Sequence, residues 1–111
     1  MNKKQRLTHL TDFLHVRQNG KVFTNTYMVL LVAHNHLGYS RFAVAAGRRV
    51  GNAVERNRVK RRLRACVDEI SSMIAHGWDL IFYARQPIIS SDFAAIRDAM
   101  KALVREAGLM D

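Results

Sequence analysis

Residues 47 to 66 read G-R-R-V-G-N-A-V-E-R-N-R-V-K-R-R-L-R-A-C, and the fold and the chemistry of the chain both turn on them. Eight of the chain's 18 Lys and Arg residues fall here (Arg48, Arg49, Arg56, Arg58, Lys60, Arg61, Arg62 and Arg64), against a single acid, Glu55. Charge concentrated in this way is the electrostatic footprint of a polyanion site. Asn52 and Glu55 are spaced so that each side chain can accept a hydrogen bond from the other's backbone N–H, which predicts a helix starting behind an Asn52 cap. Gly51 lets the chain turn sharply before that cap. The helix start then presents free N–H groups and a positive dipole end beside Arg48, Arg49 and Arg56, favourable ground for a phosphate.

At about 100° per residue, Val59, Leu63, Cys66, Val67, Ile70 and Ile74 gather into one apolar arc, so the helix packs on a core. Asn57, Lys60, Arg61 and Arg64 share one flank and Arg58 with Arg62 the other, while Arg56 overhangs the end of the core at the first turn. A helix face that serves only solubility mixes signs, because Glu–Lys pairs at i,i+4 support it and like charges repel. Here Arg58–Arg62 and Lys60–Arg64 set like charges together at a cost in helix stability. That cost is explained if the face binds phosphates.

The same string resembles the RNR signature of the protein subunit family of bacterial ribonuclease P, whose members pair with a catalytic RNA to remove 5′ leaders from precursor tRNA. The resemblance rests on a Gly51-Asn52-Ala53-Val54 lead-in, then Arg56-Asn57-Arg58, a hydrophobe at Val59, then Lys60-Arg61 and Arg64. It extends over nearly the whole chain. In the first predicted helix the family's D-F-x-x-V core is present as Asp12-Phe13-Leu14-His15-Val16. Where the family often has a second aromatic, this chain has Arg17, a cation that can still contact phosphate or stack on a base.

A length of 111 residues predicts one RNA-binding domain over 1–111, with residues 1–7 as a basic, mobile arm. A net charge of +9 and an isoelectric point near 10.6 call for an anionic partner. No apolar run approaches the roughly 18 residues of a spanning helix, so nucleic acid is expected and a membrane is not. Lys3, Lys4 and Arg6 precede no apolar stretch, so no signal peptide is expected, and a lone cysteine fits a reducing compartment, hence a cytoplasmic protein.

Along the chain, Thr8 to Asn19 reads as a helix with Leu10, Phe13, Leu14 and Val16 apolar and Gly20 as its left-handed stop. Lys21 to Asn25 reads as a short edge strand, Tyr27 to Ala33 as a strand buried on both faces, and Arg41 to Gly47 as a second strong strand with room beside Ala43, Ala45 and Ala46. The turn at Asn35, Gly38 and Ser40 is too short for a crossover, which predicts an antiparallel pair between those two strands. After the basic helix come a strand over Trp78 to Ala84 and a last helix capped at Ser90 or Ser91, with Asp92 in its first turn, an apolar stripe from Phe93 to Ala107, and a stop at Gly108. The expected fold is an α+β two-layer sandwich, a small, mostly antiparallel sheet packed with three helices. The resemblance further implies four strands and a left-handed strand–helix–strand crossover, against the usual hand.

The nine acids are scattered, and Asp68 and Glu69 diverge by about 100° on one helix, so no carboxylate cluster for protein-borne hydrolysis is apparent. His34 and His36 straddle a turn without a third ligand at a recognisable spacing and read as exposed turn residues. Cys66 lies on the buried arc and reads as a core thiol. No catalytic residue and no metal or other cofactor bound by the protein alone is therefore expected. Most aromatics, Tyr83 among them, read as packing.

The resemblance implies two surfaces. The basic helix with Arg48, Arg49 and Asn52 would contact the catalytic RNA, and a cleft with Phe13, Arg17 and one face of the sheet would take the single-stranded 5′ leader of precursor tRNA. Cleavage would belong to the RNA and its magnesium, and no stable protein partner is implied. Asn57, uncharged amid cations, would add a hydrogen bond to phosphate, base or sugar. The alternative is a structural RNA-binding protein of ribosomal type with no enzymatic role; the ordered Arg56-Asn57-Arg58 block behind its cap, together with Asp12-Phe13, separates the two. A sequence-specific DNA binder is a weaker reading, since six cations on one helix give affinity more readily than base readout.

Overall fold

The computed structural model describes residues 2–111. Its helices are α1 (Leu10–Asn19), α2 (Ala53–Ile70) and α3 (Phe93–Glu106), and its strands β1 (Lys21–Thr24), β2 (Met28–His34), β3 (Arg41–Ala45) and β4 (Trp78–Ala84). The strands form one mixed sheet in the order β1-β2-β4-β3, antiparallel except for the β3–β4 pair. The α+β architecture and the edge position of β1 are as expected.

The expected β2–β3 pair is not formed: β4 lies between them, with Leu30 opposite Phe82 on one side and Val44 opposite Phe82 on the other. The loop is too short to cross the sheet to a parallel neighbour, but it has only to straddle one strand, about 10 Å from β2 to β3. Its own side chains hold the inserted strand. Asn35 N donates to Gly77 O (2.9 Å), and Ser40 Oγ donates to Ala75 O (2.6 Å) and accepts from Trp78 N (3.0 Å). Leu80, Ile81 and Phe82 are fully buried, which is why this strand takes a central place.

Alternation along the strands sends Met28, Leu30, Val32, Phe42, Leu80 and Phe82 into the main core with α2 and α3. The predicted arc of α2 is there: Val59, Leu63, Cys66, Val67 and Ile70 are all buried, and Ile74 follows beyond a 3-10 turn at Ser71–Met73. Burial pushes the Cys66 thiol up to about 11, as befits a core sulfur. The opposite sheet face carries a smaller cluster of Leu7, Val16, Ala33 and Ile81, with Phe13, Leu31, Ala43 and Tyr83 packed around it. β2 is therefore fully buried on the main-core face and less completely on the other, where Ala33 is buried. Val29 and Leu31 stay partly exposed, because only α1 and Leu7 of the N-terminal segment cover that side.

α1 is attached less by apolar contact than its sequence suggested. Leu10 and Leu14 face solvent, and Val16 is its one fully buried residue. Gly20 ends the helix at φ −78, not in the left-handed region; it is required by close approach, since a Cβ there would collide with Val16 O and lie 2.8 Å from Val32 O. A polar strut supplements the packing. Arg41 donates through Nε and Nη2 to Asp79 (2.8 and 2.7 Å) and through Nη1 to Asp12 on α1 (3.0 Å). Asn35 Nδ2 adds a bond to Asp79 (2.9 Å), and the doubly held carboxylate raises the pKa of Arg41.

The expectation of a mobile arm over 1–7 fails at its inner end, Met1 lying outside the described residues. Lys3–Gln5 form a 3-10 turn, Arg6 bridges to Phe42, and Leu7 is buried with its N–H donated to Phe42 O (2.9 Å). Leu7 is the apolar residue that docks the segment on the free edge of β3. At the other end, the cap of α3 is Asp92, accepting from Ala95 N (2.8 Å), rather than Ser90 or Ser91, which end a separate 3-10 turn. Gly108 stops α3 at φ +78, as expected.

Candidate nucleic-acid interface

The basic helix begins as its sequence dictates. Asn52 Oδ1 accepts from Glu55 N and Glu55 Oε1 accepts from Asn52 N, each at 2.9 Å, closing a reciprocal cap. Gly51 serves that cap through space rather than through an unusual backbone angle: a Cβ would come within 2.6 Å of the Glu55 carboxylate. Ahead of it, Val50 N bonds Gly47 O (3.0 Å) and the Val50 side chain is buried, so the turn throws Arg48 and Arg49 outward.

With Val59 and Leu63 facing the core, the predicted cations distribute around the rest of α2. Asn57, Arg58, Arg61 and Arg64 are exposed, and Arg56 and Lys60 are half-buried. Among the described residues, Arg48, Arg49, Arg56, Arg58, Lys60, Arg61 and Arg64 make no side-chain hydrogen bond or ion pair with the protein. Asn57 likewise has none. A row of cations that the fold itself does not neutralise is available to an external polyanion. Arg62 is the exception. Its Nη1 donates to Ser91 O (3.1 Å), which ties α2 to the start of α3 and gives this member of the predicted set a structural duty.

A cleft of about 450 Å³ wraps the exposed edge of β3, lined by Phe13 of α1, Arg64 and Asp68 of α2, Ala43 and Val44 of β3, and Arg6 and Thr8 of the docked segment. It brings the predicted cleft residue Phe13 and the predicted basic-helix residue Arg64 onto one concave surface. Ala43 contributes by being small, which leaves the space open. Arg17 is not part of this cleft: it is exposed farther along α1 and acts on Tyr83 instead. Sequence reasoning misses Arg6 and Thr8, because a basic stretch before the first helix reads as a free arm; the signal is Leu7, a lone apolar residue among polar ones.

A family model described as Ribonuclease P matches residues 1–108. The chain belongs to the ribonuclease P protein family. Among similar curated proteins, the ribonuclease P protein component of Chloroflexus aurantiacus is 36% identical over 111 residues, covering 99% of this chain and 82% of the relative. That of Clostridium botulinum is 31% identical over 108 residues, covering 96% and 97%. Solved structures agree. The RNase P protein of Staphylococcus aureus superposes with a TM-score of 0.86 at 25% identity, covering 96% of this chain and 98% of that one. The RNase P protein of Thermotoga maritima gives 0.80 at 30% identity, covering 90% and 96%. Membership of the ribonuclease P family thus spans the docked segment, α1, the sheet and the basic helix together, and does not rest on the RNR string alone.

No group of three or more His, Cys, Asp or Glu residues among those described could hold a metal ion. His34 and His36 are exposed, their Nδ1 atoms 3.1 Å apart, with His36 in the left-handed region at φ 61. No described helix is long and apolar enough to cross a membrane.

Proposed function

We propose that the chain is the protein subunit of ribonuclease P, acting in the cytoplasm with a catalytic RNA in the endonucleolytic removal of the 5′ leader from precursor tRNA. The observation that carries the reading is the cleft at the β3 edge, where Phe13 and Arg64 line one surface, in a chain of this family. Cations on α2 and the Arg48-Arg49 turn hold the catalytic RNA. Their guanidinium forks suit phosphate, which they can bind in a bidentate way. The cleft holds the leader, whose unpaired bases lie against Phe13 and the apolar sheet face without sequence readout.

On this reading, the bond is broken by the RNA and its bound magnesium, and no step passes through a metal on the protein. The protein lowers the repulsion between two RNAs brought together and adds contacts that only a leader-bearing substrate can make. A purely structural RNA-binding role is not favoured, since the family match runs over residues 1–108.

The test is cleavage of a precursor tRNA at low magnesium by a bacterial ribonuclease P RNA, with and without the protein. Restored processing at the correct 5′ site, absent with protein alone, is the expected result. Binding of the RNA with no change in cleavage would return the chain to the structural class.

A further inference from the structure

The cleft at the β3 edge has two walls, and one of them is loosely held. Phe13 stands on α1, whose single fully buried residue is Val16 and whose first turn has no side-chain cap at His9. Leu10 and Leu14 face solvent, so apolar packing does little to fix where the helix begins. A ring that is to stack on a base has to be held within about half an ångström of its productive place. Packing alone does not supply that precision at Phe13.

A bond between the two walls does. Asp12, next to Phe13, accepts from Arg41 Nη1 at 3.0 Å, and Arg41 lies two residues before Ala43 on β3, the opposite wall. The guanidinium is aimed before it reaches Asp12. Its Nε and Nη2 are taken by the two oxygens of Asp79 (2.8 and 2.7 Å), the register partner of Arg41 on β4. Asn35 steadies Asp79 in turn through Nδ2 (2.9 Å), and its own Oδ1 accepts from Leu37 N (2.7 Å). Because the fork is planar and rigid, the bidentate pair leaves Nη1 one direction, and that direction meets α1. The Asp12 carboxylate is 33% exposed, too open for the bond to add much stability. It also sets a negative charge beside a surface that is to hold RNA, a cost in affinity unless the carboxylate has another duty.

We propose that Arg41 and Asp12 are positioning residues: the bond between them sets the spacing of α1 and β3 and so holds the Phe13 ring where a base of the leader stacks on it. The inference rests on the leader-binding reading above and adds to it two residues that act through Phe13 rather than by touching RNA. Arginine is required at position 41. A lysine there can still neutralise Asp79, but a single ammonium has no second arm fixed in direction toward Asp12.

The experiment uses holoenzyme reconstituted with its catalytic RNA and reads the ratio of precursor to mature tRNA affinity for each variant. Stacking of one base on an aromatic ring is worth roughly fivefold to 150-fold. A ring left free to shift should forfeit part of that, so Asp12→Ala is expected to lower the ratio by about threefold to tenfold, with affinity for the catalytic RNA at the wild-type value. Asp12→Asn removes the same charge but keeps an oxygen for Nη1, and should hold the ratio within about twofold of wild type. Arg41→Lys should repeat the loss seen in Asp12→Ala. In a Phe13→Ala background, Asp12→Ala should change the ratio no further, because residues acting as one unit are not additive. A general loss of stability would lower the ratio alike in both backgrounds, and that result overturns the proposal. So does a ratio that stays level or rises in Asp12→Ala, the outcome if the carboxylate does no more than repel phosphate. Failure of the underlying reading looks different: Phe13→Ala alone would leave the ratio at the wild-type value, and the proposal would fall with it.

Discussion

Replacing Arg41 with Met keeps the aliphatic stem and deletes the guanidinium that joins α1 to the sheet. The Asp79 side chain is only 3% exposed and takes two of the three Arg41 bonds, at 2.8 and 2.7 Å; without them it keeps only the Asn35 amide. Removing one partner of a buried ion pair costs about 3–5 kcal/mol, and the 16% exposure of Arg41 places the expected loss at the low end, about 3 kcal/mol. The Asp12 branch is a single 3.0 Å bond to a carboxylate 33% exposed, so Asp12→Ala should cost about 1 kcal/mol or less, shrinking as salt rises. Urea titration followed by fluorescence of Trp78, the only tryptophan and the neighbour of Asp79, reads both. Heating should show a drop in Tm of roughly 12 °C for Arg41→Met, at about 4 °C per kcal/mol for a domain near this size. Equal losses for the two variants, or a loss below about 1 kcal/mol for Arg41→Met, would refute the view that Asp79 is the buried anchor.

On α2, Arg61→Ala should weaken binding to RNA of any sequence and reduce the magnitude of the salt slope by about 1, measured by titration at several salt concentrations. Arg62→Ala should lower Tm through loss of the Ser91 bond and change the slope less. Gly20→Ala puts a Cβ against two backbone carbonyls and should cost about 1–3 kcal/mol, whereas Gly51→Ala displaces only the Glu55 side chain and should cost no more than a lost cap, about 1 kcal/mol. Because the folded Cys66 thiol is raised to about 11 from 9, the unfolded chain releases its proton first; stability should fall between pH 9 and 11, by on the order of 2 kcal/mol, and Cys66→Ala should flatten that part of the profile. The same thiol should react with an aromatic disulfide reagent only on unfolding.

What the sequence made legible was local. The Asn52–Glu55 cap, the apolar arc of α2, the stop at Gly108 and the concentration of cations each depend on residues a few positions apart. What it hid was relational. Nothing near Tyr27 to Gly47 announces that β4, more than thirty residues later, will part β2 from β3, because adjacency in a sheet is decided by which strand is most apolar on both faces. Gly20 stands out in the sequence as a helix stop, but what requires it is crowding that comes partly from Val32 across the chain reversal. Arg62 looked like its neighbours until Ser91 arrived beside it, and Arg41, Asp12 and Asp79 became one strut only in three dimensions. Tyr83 reads as packing in the sequence, which gives no sign that a hydroxyl will lack a partner.

The central claim is a division of labour between α2 and the cleft, and paired affinities test it most directly. With Phe13→Ala and Arg61→Ala proteins, the affinity for the catalytic RNA is measured alongside the ratio of precursor to mature tRNA binding by the holoenzyme. The account predicts that Phe13→Ala lowers the ratio and leaves RNA-subunit affinity unchanged, while Arg61→Ala does the reverse. Two variants that lose both quantities in equal proportion would contradict it.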